Sequence, residues 1–551
     1  MAKSIEQINE QLKHKHRKEK LDGVNFRNQV ESYDLRPAQE GTLEWIKQPI
    51  IDGKKFFILE MPTGVGKSIF SQAFINYYLK EVNSKARFDI LTNTKILQEQ
   101  YFDEFQYMNN LWGKKNYECE TWGNDCEYGK TCNTANGKKA CEDCPHSEAF
   151  KEWKEGQISL TNFHTHGIFS LFNKQILDDR NPSVLIVDEA HLLEEVINGY
   201  VSLNLSKKTW QNFVNKKTAQ DWENDITDMN TIEEIVKWIE DIFLIGLKKA
   251  GGSASHKIKG GDGEKYAKII TDIERITQTI MKFLSNYKEK ASQWVADKRR
   301  EKGAITWSIQ PLWTADIMKD SIWGNYKHII LMSGTIIDSS IFCETNGIDI
   351  EKTASMKMGT PFHKDNRPIY YMPTGRLSYK QKESSWKQYP AVIKKILKKY
   401  EGKKGIIHTG NYELWQWLKN DVEDDRLIFA EPGSREISLK EHLNSTSDTV
   451  LVSPSMIHGI DLKDDYSRFQ IIIKVPYPSL ASEVNKQRFK QKPKWYSWRT
   501  VMDIIQAYGR SIRNDNDYAD TIILDSCFSD VISQNSAMFP KYFLDAVKKK
   551  K

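Results

Sequence analysis

A chain of 551 residues exceeds what one hydrophobic core organises, so two domains with further insertions are expected. Its 80 basic residues against 74 acidic ones leave a formal charge of +6, too small to imply nucleic acid by itself, and the short basic runs Lys13 to Lys20 and Lys548 to Lys551 are assigned no function. No stretch approaches the roughly 18 apolar residues of a membrane helix, and the Lys-rich N-terminus lacks the apolar segment of a signal peptide. A soluble, cytoplasmic protein with no membrane partner is the expectation.

In chain order, the first informative element is Phe56-Phe57-Ile58-Leu59, which reads as a short buried strand. It leads through Glu60 and Met61 into Thr63-Gly64-Val65-Gly66-Lys67-Ser68 and an apolar helix. Strand, glycine loop and helix in this order make a phosphate-binding loop. Gly64 and Gly66 let the backbone close on a β-phosphate, Lys67 places a cation on the β and γ oxygens, and the Ser68 hydroxyl can ligate Mg²⁺. Met61 stands where the general pattern has its first glycine.

Five of the seven cysteines follow, at Cys119, Cys126, Cys132, Cys141 and Cys144, whereas Cys343 and Cys527 stand alone. In a reducing compartment, thiols crowded this closely point to metal ligation rather than disulfides. Four thiolates suffice for a [4Fe-4S] cluster, and a structural Zn²⁺ site, often built on a pair such as Cys141 and Cys144, needs the same number. Spacing does not separate the two. The segment is rich in Gly, Asn and Lys and too poor in apolar residues for a core of its own, so its fold would be held by the metal.

A second apolar strand, Val184 to Val187, ends in Asp188-Glu189-Ala190-His191, two carboxylates at the edge where open parallel sheets bind ligands. Asp188 suits Mg²⁺, and Glu189 suits the orientation and deprotonation of an attacking water. From Tyr200 to Gln310 the pattern is helical rather than extended. Ile269, Ile273, Ile276, Ile280 and Phe283 recur at three-to-four spacing, and the glycine-rich stretches Gly251 to Ser255 and Gly260 to Gly263 flank a loop before that helix. Near the C-terminus, Gln506-Ala-Tyr-Gly509-Arg510-Ser-Ile-Arg513 sets two arginines three apart, hence on one helical face, where their planar cations can stabilise charge on a transferred phosphoryl group.

Met61 to Ser68, Asp188 to His191, Ser333-Gly334-Thr335 and Gln506 to Arg513 resemble, in order, motifs I, II, III and VI of superfamily 2 helicases. The cysteines between the first two narrow the resemblance to the XPD/DinG-like iron-sulfur DNA helicases, and further matches lie along nearly the whole chain. Tyr33 to Gln39 looks like the family's Q motif, which implies that Gln39 reads the adenine edge and that Arg36 also binds nucleotide. Leu91 to Gln98 is similar to motif Ia, expected against the DNA backbone. Ser159 to His164 resembles the stretch that follows the cluster, and Gly359 to Phe362 with Asn366-Arg367 resembles the start of the second motor. Gly405 to Thr409 looks like motif IV. Ser453 to Leu462 looks like motif V, matching at Gly459 and Asp461 and departing at His458, where Glu is usual. Cys119 and Cys144-Pro145 are similar to the first and last cluster ligands, while any two of Cys126, Cys132 and Cys141 could complete the set.

The implied fold is α/β, with two RecA-like domains, each a parallel sheet flanked by helices, and with an iron-sulfur insertion and a helical Arch-like insertion in the first. The expected division is motor domain 1 over 1–110, 159–199 and 311–345, interrupted by the cysteine module over 111–158 and the helical insertion over 200–310, then motor domain 2 over 346–551. ATP with Mg²⁺ would lie between the motors, with Ser333 and Thr335 coupling nucleotide state to DNA. Single-stranded DNA and forked or tailed duplexes are the expected partners, with translocation 5′ to 3′. A monomer is expected, and whether a protein activator exists is left open. Trp112, Tyr117 and Trp122 are candidates for stacking bases. About 30 residues precede the Q motif, so a nuclease domain is not expected. An RNA-dependent ATPase or helicase, or a nucleic-acid clamp with little unwinding, are the alternatives. A viral or mobile-element origin, which would place the protein in a host cytoplasm, is a guess from the compact chain.

Overall fold

The computed structural model describes residues 34–62, 64–118, 144–258, 263–301, 304–360, 362–431, 433–454, 462, 464–512 and 517–548. Several strands predicted from apolar runs are buried along their whole length, as expected for strands covered by helices on both faces. The first group is β1 (Phe56–Glu60), β2 (Phe88–Thr92), β3 (Asn109–Asn110), β4 (Ile158–Asn162) and β5 (Val184–Asp188). Next come β6 (Leu203–Ser206), β7 (Trp294–Glu301) and β8 (Ala304–Pro311), then β9 (His328–Ser333) and β10 (Thr353–Lys357). The second half supplies β11 (Ile369–Gly375), β12 (Gly405–His408), β13 (Leu427–Phe429), β14 (Val450–Ser453), β15 (Phe469–Ile472), β16 (Asp520–Asp525) and β17 (Val547–Lys548).

Two seven-stranded sheets result, in the orders β10-β1-β9-β5-β2-β4-β3 and β13-β14-β12-β15-β16-β11-β17. All their pairings are parallel. In the first, Glu60 lies opposite Ser333 and Asp188 opposite Met332, so the carboxyl ends of β1, β9 and β5 finish side by side. Because β10 pairs with β1, the first sheet extends beyond residue 345, where the sequence reading ended it. A continuous apolar core joins the halves: Trp498, Val501 and Ile504 of the second pack with Trp323, Ile336 and Phe342 of the first. The Trp498 indole donates to the Ile336 carbonyl at 2.8 Å.

The segment between β5 and β9 departs from the all-helical expectation. It contains a three-stranded antiparallel sheet in the order β6-β8-β7, and β8 alternates buried Ile305, Trp307 and Ile309 with less buried neighbours. That two-residue period is the signature of a half-buried strand and was overlooked beside the stronger helical pattern. The long helix is present over Gly263–Glu289, with Ile273, Ile280 and Phe283 buried and Ile269 and Ile276 packed against the same core. Gly251 to Ser255, expected to border a loop, lies inside the helix Leu244–Ile258. Earlier in the same helix, Gly246 serves for close approach: a Cβ on it would sit 2.4 Å from the Trp222 ring. Trp210, Trp222, Trp238 and Phe243 form the aromatic centre of this insertion.

Below the first sheet, Arg180 is fully buried and donates to Asp89 at 2.6 Å and to the carbonyls of Phe88, Trp153, Lys154 and Gly156. This one guanidinium ties the helix Pro145–Glu155, which follows the cysteine segment, to the strands beside it. Leu111, Trp112, Tyr117 and Trp153 make a small apolar core at the same place.

Candidate active site between the two sheets

The phosphate loop leaves the end of β1 and turns into the helix Lys67–Tyr77. Gly64 and Gly66 both take positive φ, 84° and 82°, a region closed to most side chains. At Gly66 a Cβ would also stand 2.4 Å from the Gln39 amide nitrogen. The Q-motif residues hold the loop from behind. Arg36 donates to the Gly64 carbonyl at 2.6 Å, and the Gln39 amide donates to the carbonyls of Val65 and Gly66, each at 3.0 Å. The Gln39 oxygen accepts from the Arg36 backbone N–H at 2.8 Å. With both ends of its amide engaged and only 2% of its surface exposed, Gln39 braces the phosphate loop.

Across the loop, Lys67 lies 2.8 Å from Glu189 and 3.7 Å from Asp188. Glu189 sits at φ 56°, a strained conformation that turns its side chain back toward the loop. Burial raises the Asp188 carboxyl above the usual range, and the nearby Lys67 opposes this. At Glu189 burial acts in the same upward sense, but the neighbouring cations, Lys67 foremost with Arg510 behind it, together outweigh it and keep the carboxylate ionised. Hard oxygens from Ser68, whose hydroxyl lies 3.4 Å from Glu104, and from Asp188 suit Mg²⁺. Tyr101 donates to Asp188 at 3.1 Å. Tyr101 and Glu104 were missed in the sequence, although their three-residue spacing on the helix Lys95–Glu104 puts them on one face toward the loop.

A chain of polar contacts runs from this site into the second sheet domain. Burial pushes His191 down to about 3, so its ring is neutral; its Nδ1 lies 2.8 Å from the Ser333 hydroxyl and 3.5 Å from Glu189. The Ser333 oxygen accepts from the Thr335 N–H at 3.1 Å, and the Gln506 amide donates to the Thr335 hydroxyl. Arg510 in turn donates to the Gln506 oxygen at 2.8 Å. Gln506 lies on the helix Pro493–Tyr508 and Arg510 just beyond its end. Pro62, Glu189, Thr335, Gln506 and Arg510 line one cleft between the two halves. Arg367, 5% exposed, donates to the Tyr508 hydroxyl and the Tyr542 carbonyl, both at 2.9 Å, and so anchors the connection into the second half behind this helix.

The structure therefore brings together Arg36, Gln39, Gly64, Val65, Gly66, Lys67, Ser68, Asp188, Glu189, Gln506 and Arg510. Thr63, Asp461 and Arg513 lie outside the described residues, as do His458, Gly459 and Trp122. So do Cys119, Cys126, Cys132 and Cys141, while Cys144 caps the helix Pro145–Glu155 beside the small apolar core. Among the described residues no cluster of three or more His, Cys, Asp or Glu is placed to hold a metal ion. Trp112 and Tyr117, expected to stack bases, are buried at 1% and 3% exposure in that core, where the Tyr117 hydroxyl accepts from the Trp112 N–H. Their rings are packing residues.

The arrangement can bind a nucleoside triphosphate on the first sheet, polarise a water with Glu189 and offer Arg510 from the second half to the phosphoryl group. Residues 32–236 match the family of the res subunit of type III restriction enzymes, and 397–545 match the helicase C-terminal domain. The chain is 20% identical over 374 residues to a probable ATP-dependent helicase, YpvA, of Bacillus subtilis, covering 61% of this chain and 56% of that one. It is 22% identical over 471 residues to the ATP-dependent DNA helicase CHL1 of Candida albicans, covering 67% and 56%. The chain thus spans little more than half the length of these two relatives. An XPD helicase structure superposes with a TM-score of 0.64 at 15% identity, over 92% of this chain and 98% of that one, which shows a common fold. No helix of the described residues is long and apolar enough to cross a membrane.

Proposed function

We propose that the chain is an XPD/DinG-like helicase of superfamily 2, an ATP-dependent DNA helicase that translocates 5′ to 3′ on single-stranded DNA and unwinds tailed or forked duplexes. The observation that carries this reading is the polar chain Glu189–His191–Ser333–Thr335–Gln506–Arg510, because it crosses from the hydrolytic carboxylate to the arginine of the opposite motor. Without nucleotide, Lys67 neutralises Glu189. Phosphate oxygens in the loop compete for Lys67, leaving Glu189 to accept a proton from water. Asp188 and Ser68 would hold Mg²⁺, which supplies charge neutralisation on the phosphates. Arg510, with Arg513, would draw the second motor toward the γ-phosphate, and loss of that charge after hydrolysis would let the cleft reopen, converting ATP turnover into alternating grip.

The same reading assigns four of Cys119, Cys126, Cys132, Cys141 and Cys144 to a [4Fe-4S] cluster, with structural Zn²⁺ as the other group of matching stoichiometry. Support lies in the thiolate donor set and in the anchoring of Cys144 on a helix clamped by Arg180. Monomeric action in a reducing compartment, on DNA rather than RNA, completes the proposal. The test is an anaerobic preparation analysed for iron, zinc and visible absorbance, with unwinding on 5′-tailed and 3′-tailed duplexes and ATPase stimulation by DNA and RNA. A brown protein with about four irons, selective for 5′ tails and DNA, is expected. Zinc in place of iron would replace the cluster, and a 3′-tail or RNA preference would overturn the polarity or substrate.

A further inference from the structure

The helix Leu193–Val201 starts four residues after Glu189 and carries the catalytic edge outward across the first sheet. Its Glu195, Gly199 and Tyr200 face His164 and Asn93 across an open groove. Asn93 follows β2 and His164 follows β4, which run in register with Thr92 opposite Asn162, so both leave the same carboxyl edge that carries the phosphate loop and Asp188. His164 Nδ1 and the Tyr200 hydroxyl are 3.2 Å apart, and their rings meet edge to face at 5.8 Å. Behind the groove, Phe172 stands 6.4 Å from the Tyr200 ring, and Gly167 leaves the space for it, since a Cβ there would already touch the ring at 3.4 Å. In front the groove is open: a Cβ on Gly199 would meet nothing within 4 Å.

The chemistry of the groove selects among ligands. No lysine or arginine lines it, and Glu195 does, so a phosphate is disfavoured within it. A cation stands at its rim instead. Arg275 on the insertion helix Gly263–Glu289, outside the groove's own lining, is 71% exposed, is paired with Asp272 at 2.8 Å, and is close enough to act electrostatically on Tyr200. Rings inside and a cation at the border match a single-stranded nucleic acid that turns a base inward and its backbone outward. We propose that this groove is a nucleobase-binding notch, in which His164 and Tyr200 pack on one base of the translocating strand while Arg275 meets the adjoining phosphate. The inference rests on the single-strand translocase reading above. It gives that reading a direct link between strand and hydrolysis, because the helix bearing Tyr200 continues from Glu189.

The test uses the full chain, a fluorescein-labelled oligo-dT and a strand carrying one 2-aminopurine, read by anisotropy and by quenching. Tyr200→Leu, which fills the half-buried site without a ring, and His164→Ala, at an exposed side chain, are each expected to weaken binding by about 5- to 100-fold and to relieve the quenching. Tyr200→Phe is expected to retain both signals. If Tyr200→Leu lowers the melting temperature, His164→Ala decides. Binding within about twofold of wild type, with quenching kept in both ringless variants, overturns the notch alone. A wild-type chain that hydrolyses ATP and binds no single strand overturns the translocase reading together with it.

Discussion

Gln506 is the bridge between motors, and its replacement by leucine isolates that bridge with little change of volume. The substitution removes one hydrogen bond to the Thr335 hydroxyl and one charge-assisted bond from Arg510. A neutral bond contributes about 0.5–1.5 kcal/mol and one to a charged group about 1.5–3 kcal/mol, so roughly 2–4 kcal/mol of positioning is at stake. Since the Thr335 contact links the halves across the cleft and the Arg510 contact orients the arginine within the second half, the loss is expected in turnover more than in ATP affinity. At about 1.4 kcal/mol per factor of ten, DNA-stimulated kcat should fall roughly 30- to 1000-fold. A fluorescent ATP analogue should still bind to Gln506→Leu. Thr335→Val should slow turnover too, and the double variant should be less impaired than the product of the singles if the two residues act as a unit. A Gln506→Leu enzyme turning over within about threefold of wild type, or strictly multiplicative losses, would refute the argument.

Three further outcomes follow from the geometry. Gly66→Ala places a methyl group at φ 82° against Gln39, and should abolish nucleotide binding in an equilibrium assay while leaving circular dichroism unchanged. Breaking the buried Asp89–Arg180 pair with Arg180→Met leaves a buried carboxylate and four carbonyls short of a donor, and should cost about 3–5 kcal/mol in denaturant unfolding; a loss below about 1 kcal/mol would contradict the clamp. His166, fully buried 2.7 Å from the Tyr326 hydroxyl, is pushed by burial down to about 4, so the unfolded chain takes up a proton below about pH 6.5 that the folded one refuses. Stability should therefore fall between pH 6.5 and 4, by about 3 kcal/mol from this residue, and His166→Gln should flatten that part of the profile in pH-dependent denaturant titrations.

The nucleotide side of the site was legible because its chemistry is local. A loop that wraps phosphate needs glycine, lysine and a hydroxyl within a few residues, directly after a strand, and Gly64 to Ser68 satisfy this without reference to the rest of the chain. Asp188 and Glu189 are equally local to the end of β5. What failed were expectations that depend on which surface a residue meets. Trp112 and Tyr117 have the composition of a base-stacking platform, yet the helix Pro145–Glu155 covers them. β8 was hidden because its alternation is short and lies beside a 27-residue amphipathic helix.

Sequence alone determined the motor class, the phosphate loop, the paired carboxylates and the number of thiols available to a metal, since each is written in neighbouring residues whose chemistry does not depend on distant partners. Tertiary structure decided the rest. Strand order put β1, β9 and β5 side by side, so that Lys67, Ser333 and Glu189, up to 266 positions apart in the chain, meet in one site. It also placed Tyr101 and Glu104 beside the loop, joined Thr335 to Gln506 across the cleft, and opened the groove between His164 and Tyr200. Such contacts arise from sheet order and domain docking, where burial of a shared apolar core fixes which side chains face one another, and no local pattern records that choice.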